Sequence, residues 1–134
     1  MELSTLKIDK ESAENGRWLD LDDSGAKIKL CRIGNAKYRE RLKFHTQKFR
    51  SPKSVSDEAY VDMLNMVLAE TVVKDWKGLT DDGQEILYSY EKCLELFRNP
   101  AYVEFKNIVV RLADSLDNFR MEVLNEDVGE SSVS

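Results

Sequence analysis

The chain has 134 residues, a mass of 15.5 kDa and a net charge of -5, with 42% apolar and 34% charged residues. That is material for one domain around one core, with long solvated faces. No apolar run approaches the ~18–20 residues that span a bilayer, and the opening Met1-Glu2-Leu3-Ser4 lacks the basic and apolar regions of a signal peptide, so a cytosol is the expected compartment.

Residues 1–15 form a polar, weakly patterned segment, with Leu3, Leu6 and Ile8 as material for a short edge strand. Residues 17–22 then alternate, placing Leu19 and Leu21 on one face and Trp18 and Asp20 on the other, and 26–33 repeat the alternation with Ile28 and Leu30. Asp22-Asp23-Ser24-Gly25 between them has turn chemistry. The pattern predicts a β-hairpin, which helices or a neighbouring chain must cover. Gly34 ends the second strand, and Asn35 is placed to cap a helix over 36–50 whose Tyr38, Leu42, His45 and Phe49 make one narrow face. No cysteine, serine or carboxylate is spaced to partner His45, which reads as a partly buried structural residue.

Ser51-Pro52-Lys53-Ser54 breaks the chain, and Ser54 or Ser56 caps the next helix, expected over 57–77. One face of it collects Tyr60, Val61, Leu64, Val67, Leu68 and Val72, and the other side carries Ala59, Met63, Met66 and Val73. A helix apolar on two sides is buried on two sides, in the centre of a domain or against a partner. Flexible thioethers suit adaptable contacts, so Met63, Met66 and Val73 are the candidate partner-binding residues. Thr80-Asp81-Asp82-Gly83 is a turn, and Ser89 caps a brief helix that Pro100 stops, with Cys93, Leu94 and Phe97 inward. The last helix, about 101–124, carries Tyr102, Phe105, Val109, Leu112, Leu116, Phe119 and Val123 at alternating steps of three and four. Ile108 and Ala113 broaden this seam, which suits bundle packing. Residues 125–134 are acidic, have little to bury and are expected to be a disordered tail.

The fold class that follows is α+β and mostly α: an N-terminal hairpin or small antiparallel meander packed on about four helices, in a single domain over 16–124. Charge is divided along it. Lys27, Lys29, Arg32, Lys37, Arg39, Arg41, Lys43, Lys48, Arg50 and Lys53 are half of the 20 basic residues and face the single acid Glu40, whereas acids dominate beyond Lys53. Such a segment can bind nucleic acid, can meet the acidic body of a second subunit, or can be a solvated helix face. Lys37, Arg39, Arg41, Lys43 and Lys48 are accordingly the candidate oligomer interface. The acidic net charge and the lack of a helix-turn-helix pattern speak against nucleic acid.

Chemistry-bearing motifs are missing. The six glycines form no phosphate loop, and one histidine cannot build a nucleophile–base pair. Cys31 and Cys93 stand far apart, too few with His45 for a zinc site, and are expected to be free thiols packed as small apolar groups. Asp20/Asp22/Asp23 and Asp81/Asp82/Glu85 lack the spacing of a calcium loop. The expectation is a non-enzymatic protein without metal or cofactor.

Trp76-Lys77-Gly78-Leu79, Asp81-Asp82-Gly83, Ile86-Leu87-Tyr88-Ser89, Glu91, Leu96, Pro100 and Asp117-Asn118-Phe119-Arg120 fall in an order that resembles tail assembly chaperones of long-tailed, siphovirus-type bacteriophages. Gly16-Arg17-Trp18-Leu19, Lys27-Ile28-Lys29-Leu30 and Arg32-Ile33-Gly34-Asn35 with Tyr38 resemble the opening hairpin and basic helix of that family, so the similarity runs over about 16–120. The resemblance implies an oligomer, a ring or a spiral, that binds the tape measure protein and keeps it soluble while the tail tube assembles. It implies a place in the host cytoplasm and absence from the mature virion. It further implies that this chain corresponds to a short form, with contacts to the tail tube protein made through a frameshifted extension.

Overall fold

The computed structural model describes residues 1–49 and 55–122. The fold is α+β and mostly α. Strands β1 (Arg17–Asp20), β2 (Lys27–Leu30) and β3 (Val73–Lys77) form an antiparallel sheet in the order β1-β2-β3. A second, two-stranded ribbon joins β4 (Thr80–Asp81) to β5 (Gln84–Glu85). The helices are α1 (Lys10–Asn15), α2 (Ala36–Thr46), α3 (Asp57–Thr71), α4 (Tyr90–Arg98) and α5 (Val103–Asp114).

The predicted hairpin is present, with Leu19 opposite Ile28 and Trp18 opposite Lys29. Three predicted caps are made: Asn35 accepts from the Tyr38 amide at 2.8 Å, Ser56 from Ala59 at 3.1 Å and Ser89 from Lys92 at 3.0 Å. Asp82 and Gly83 both take positive φ, 51° and 79°, which the two-residue turn between β4 and β5 requires.

The helix expected over 57–77 is two elements. It ends at Thr71, and after Val72 the chain runs extended as β3. The β-branched run Thr71-Val72-Val73 favours the change. Ile28 pairs with Trp76 and Leu30 with Val73, so two residues of β2 face three of β3, and Lys74 is the extra one. The two-against-three count is that of Lys29 and Leu30 against Val73, Lys74 and Asp75, and the bulge puts Val73 and Trp76, three positions apart, on the same buried face. What reads as helical spacing is a bulged strand.

The long last helix is also divided. Asn99 caps a 3-10 turn over Pro100–Tyr102, α5 follows, and at Ser115 the backbone turns extended before a second 3-10 turn, Leu116–Phe119. Asn118 Nδ2 donates to the Leu112 carbonyl at 2.9 Å, closing the end of α5. The break swings Phe119 into the core and leaves Leu116 exposed, so the three-four seam does not continue beyond Leu112. Val123, the tail 125–134, Arg50 and the Ser51-Pro52-Lys53-Ser54 break lie outside the described residues.

The N-terminal segment belongs to the domain. Leu3–Leu6 is a 3-10 turn, and the edge strand expected from Leu3, Leu6 and Ile8 shrinks to one bridge between Ile8 and Arg120. Arg17 ties the two ends of the chain: Nη1 donates to the carbonyls of Asn118 and Arg120 at 3.0 and 2.9 Å, and Nη2 to Asp9 at 3.2 Å. The core gathers Ile28, Leu30, Val73 and Trp76 of the sheet with Leu68, Cys93, Phe97, Val109, Ala113 and Phe119. Both cysteines are free and buried, and burial pushes the Cys93 thiol up to about 12, which makes it inert at neutral pH.

Candidate functional site

Pro100 is the residue that builds the principal surface feature. Lacking an amide hydrogen, it ends α4 and opens the following 3-10 turn, while Asn99 Oδ1 accepts from Ala101 at 2.9 Å. The chain reverses there and sets the start of α5 beside the end of α4, with the outer face of α3 opposite. Between them lies an open groove of about 650 Å³, floored by Phe97 and walled by Val61, Asn65, Pro100 and Val103. Val61 is 47% and Val103 54% exposed, a high fraction for β-branched apolar side chains facing each other across a cleft.

Polar groups mark the ends of this groove. Asp57 and Glu58 stand at one rim, on the first turn of α3, and Asp62 is held by Arg98 at 2.6 and 3.0 Å. At the other side Lys106 lines the wall, its ammonium pulled below the ordinary lysine range by burial. Among the described residues no carboxylate comes within ion-pair distance of it. Asn65 is buried, and among the described residues its Oδ1 has no hydrogen-bond partner. A groove with apolar walls, an unmatched acceptor, a desolvated cation and an acidic rim suits the apolar face of an amphipathic helix.

The partner-binding residues expected from sequence do not form a surface. Met63 and Val73 are each 2% exposed, Met66 is half-buried against the core, and Val73 stands in the sheet. The physical reason is the end of the helix at Thr71, which removes Val73 from any face shared with the methionines. The groove residues were only partly visible beforehand. Val61 sat among the residues of the expected core face, and Val103 falls outside the three-four seam; an apolar residue just inside a helix start but off its stripe is the signal that would have found it.

The basic helix is present, but its residues do different jobs. Lys37, Arg39, Lys43 and Lys48 are exposed. Arg41 is not free: its Nε and Nη2 donate to the Glu70 carboxylate at 3.2 and 3.1 Å. Buried His45 completes the cluster, with Nε2 3.0 Å from the same carboxylate, so the partner that local spacing did not reveal lies 25 residues away on α3. Phe44, 45% exposed, lies under the Arg41 guanidinium at 4.4 Å and the Lys48 ammonium at 4.9 Å.

Burial alone would raise the Glu70 carboxyl, but the hydrogen bonds from Arg41 and His45 more than offset this and hold it below the usual glutamate range. Glu70→Gln should therefore cost about 1–2 kcal/mol at neutral pH, the modest figure reflecting a partly exposed pair. A carboxyl depressed in the folded state stabilises fully above its unfolded value and loses that contribution as pH falls through the folded value. Below about pH 4, near the unfolded glutamate value, the parent should lose stability faster than the variant. Urea titrations of both proteins from pH 7 to pH 3 check this; parallel curves would show that Glu70 does not carry the α2–α3 link.

Among the described residues no group of three or more His, Cys, Asp or Glu is gathered to hold a metal ion, and no helix is long and apolar enough to cross a membrane. A protein-family model described as YdaY prophage protein matches residues 33–130, which takes in α2, the groove and the acidic ribbon and leaves out the β1–β2 hairpin. No curated protein and no solved structure matches the chain.

Proposed function

The chain belongs to the YdaY prophage protein family, and from that premise we propose that it is a non-enzymatic tail assembly chaperone, an oligomer that binds the tape measure protein in the host cytoplasm and keeps it soluble while the tail tube assembles. It is absent from the mature virion, and any contact with tail tube protein runs through a longer, frameshifted form. The observation that carries this reading is the groove between α3, α4 and α5, where Val61 and Val103 stand exposed around an apolar floor. A tape measure is a long helical protein whose apolar stripe must be covered until the tube surrounds it, and many copies of a weak groove can do this by multivalency. The phage-derived family and the order of residues over 16–120 support the same reading.

The test is co-expression with a helical fragment of the neighbouring tape measure protein, followed by the fraction of fragment left in solution. The parent should keep it soluble. Val61→Lys combined with Val103→Glu places a charge on each wall and should cut the soluble fraction at least tenfold. Both side chains are about half exposed, so thermal stability should change by no more than ~1 kcal/mol. A parent that leaves the fragment insoluble, or a variant that still protects it, would overturn the assignment.

One observation favours a second reading. An exposed Phe44 between two cations on a basic helix is the kind of surface on which a single-stranded base stacks. A small nucleic-acid-binding regulator would show affinity falling steeply with salt, and the chaperone would not.

A further inference from the structure

The charge division along the sequence becomes two separate surfaces in the fold, each with one large exposed apolar residue. On α2, Lys37, Arg41 and Phe44 follow one another at spacings of four and three along one stripe, and Lys48, in the turn after the helix, holds its ammonium 4.9 Å from the Phe44 ring. Arg41 is tied down by Glu70, so Lys37, Phe44 and Lys48 are the groups this stripe offers outward.

The second surface is built from the β4–β5 ribbon and α4. Tyr102 donates to Asp81 at 2.6 Å, and the nearby charges of Asp82 and Glu95 also raise its hydroxyl above the ordinary tyrosine range, the Asp81 bond being the main cause. Asp81, Asp82 and Glu95, from two elements, thus act on one hydroxyl, and Glu95 also pairs with Lys92 at 3.3 Å, which leaves acids in excess on this surface. Glu85 is exposed on the same ribbon, and the segment leaving it carries Leu87, 74% exposed. Among the described residues nothing covers this leucine, which lies between Glu85 and Glu91 in sequence.

We infer that these two surfaces are the two halves of one contact between copies of the chain, with Phe44, Lys37 and Lys48 of one copy seated against Leu87, Glu85 and Glu95 of the next. This rests on the oligomeric part of the reading above and names its interface. The charges are complementary, and each side supplies an apolar anchor inside a ring of charge, the arrangement that gives a contact both steering and a dry centre. α2 packs on α3 and α3 on α4, so the two halves sit on different elements. Two patches on different elements allow a head-to-tail contact, in which copies add in a ring or a spiral according to whether the rotation closes. The groove between α3, α4 and α5 belongs to neither half, which leaves it open in every copy.

Sedimentation velocity of the purified chain at rising concentration, without any client, tests this. The parent's mass should rise with concentration. Lys37→Glu with Lys48→Glu should leave a monomer, as should Glu85→Lys with Glu95→Lys, each with association weakened at least tenfold. An equal mixture of the two variants should associate again, because each reversed surface meets its complement, and this recovery also shows that both variants are folded. A monomeric parent, an unchanged mass in either variant, or a mixture that stays monomeric would overturn the inference. Loss of single-stranded oligonucleotide binding in Lys37→Glu/Lys48→Glu, with self-association intact, would assign the stripe to nucleic acid instead. Because no client is present, failure here is distinct from failure of client protection.

Discussion

Trp76→Ala should be the most damaging truncation in this protein, lowering stability by about 3–5 kcal/mol. The indole is buried on β3, opposite Ile28. Its Nε1 donates to the Ile86 carbonyl at 2.8 Å, and its ring meets Tyr88 and Phe105 edge-on with centroids 5.0 and 6.0 Å away. One side chain thus joins the sheet, the segment after the β4–β5 ribbon and α5. Alanine removes the aromatic contacts, opens a cavity and orphans a carbonyl. The melting temperature should fall by on the order of 10–20 °C. Trp76→Phe keeps part of the packing and loses the hydrogen bond, so it should fall between parent and alanine. Urea unfolding of the three proteins checks the order; an alanine variant within 1 kcal/mol of the parent, on the error scale of such data, would show that the ring does not join these elements.

Met63→Glu should abolish cooperative folding. The thioether is buried on α3, 2% exposed, and a carboxylate there would lose its water. An unpaired buried charge costs several kcal/mol, a large share of the ~5–15 kcal/mol that holds a domain together. Met66→Glu, at a half-buried position, should be milder, and Met63→Leu should cost less than about 1.5 kcal/mol because volume is conserved. Circular dichroism melts separate these outcomes. A Met63→Glu protein that melts like the parent would show that the side chain reaches solvent. The contrast with Val61 and Val103 is useful: charges at those two positions should disturb what the protein holds and leave what holds the protein.

Local chemistry was legible in the sequence. The turn after Leu21, the caps at Asn35, Ser56 and Ser89, and the stop at Pro100 each depend on a few neighbouring residues, and all are where side-chain chemistry puts them. Boundaries failed where two periods overlap. Val72, Val73 and Trp76 fit a helix as well as a strand, because a bulge at Lys74 gives the strand a spacing of three. Likewise Leu116 and Phe119 continue a three-four pattern although Ser115 has turned the chain.

The groove was less legible than the fold, since it exists only where α3, α4 and α5 meet, and no window of sequence contains all three. Glu70 shows the same limit. Its pairing with Arg41 and His45 spans more than 20 residues and depends on how α2 lies across α3. Composition did reveal that the chain is electrically two-sided. It did not reveal which bases are already engaged, and Arg41, half-buried against Glu70, is one that a charge count would take as unpaired.

The stitching of the two ends has a bearing on synthesis. Asp9 donates to the Phe119 carbonyl at 2.7 Å, Met121 to Lys7 at 2.9 Å, and Arg17 closes the seam with the carbonyls of Asn118 and Arg120. Residues 7–17 therefore lack part of their bonding until residues 118–121 have been made. β2 waits too, for β3 lies more than 40 positions downstream. Helices α2 and α3 can form and meet early, but the part of the fold that depends on these distant pairings closes only once residues 118–121 have been made. A nascent chain stalled before residue 118 would keep Arg17 on Asp9 and Ser12 but leave its Nη1 without the two carbonyls, and closure of this seam would be timed by the arrival of residues 118–121.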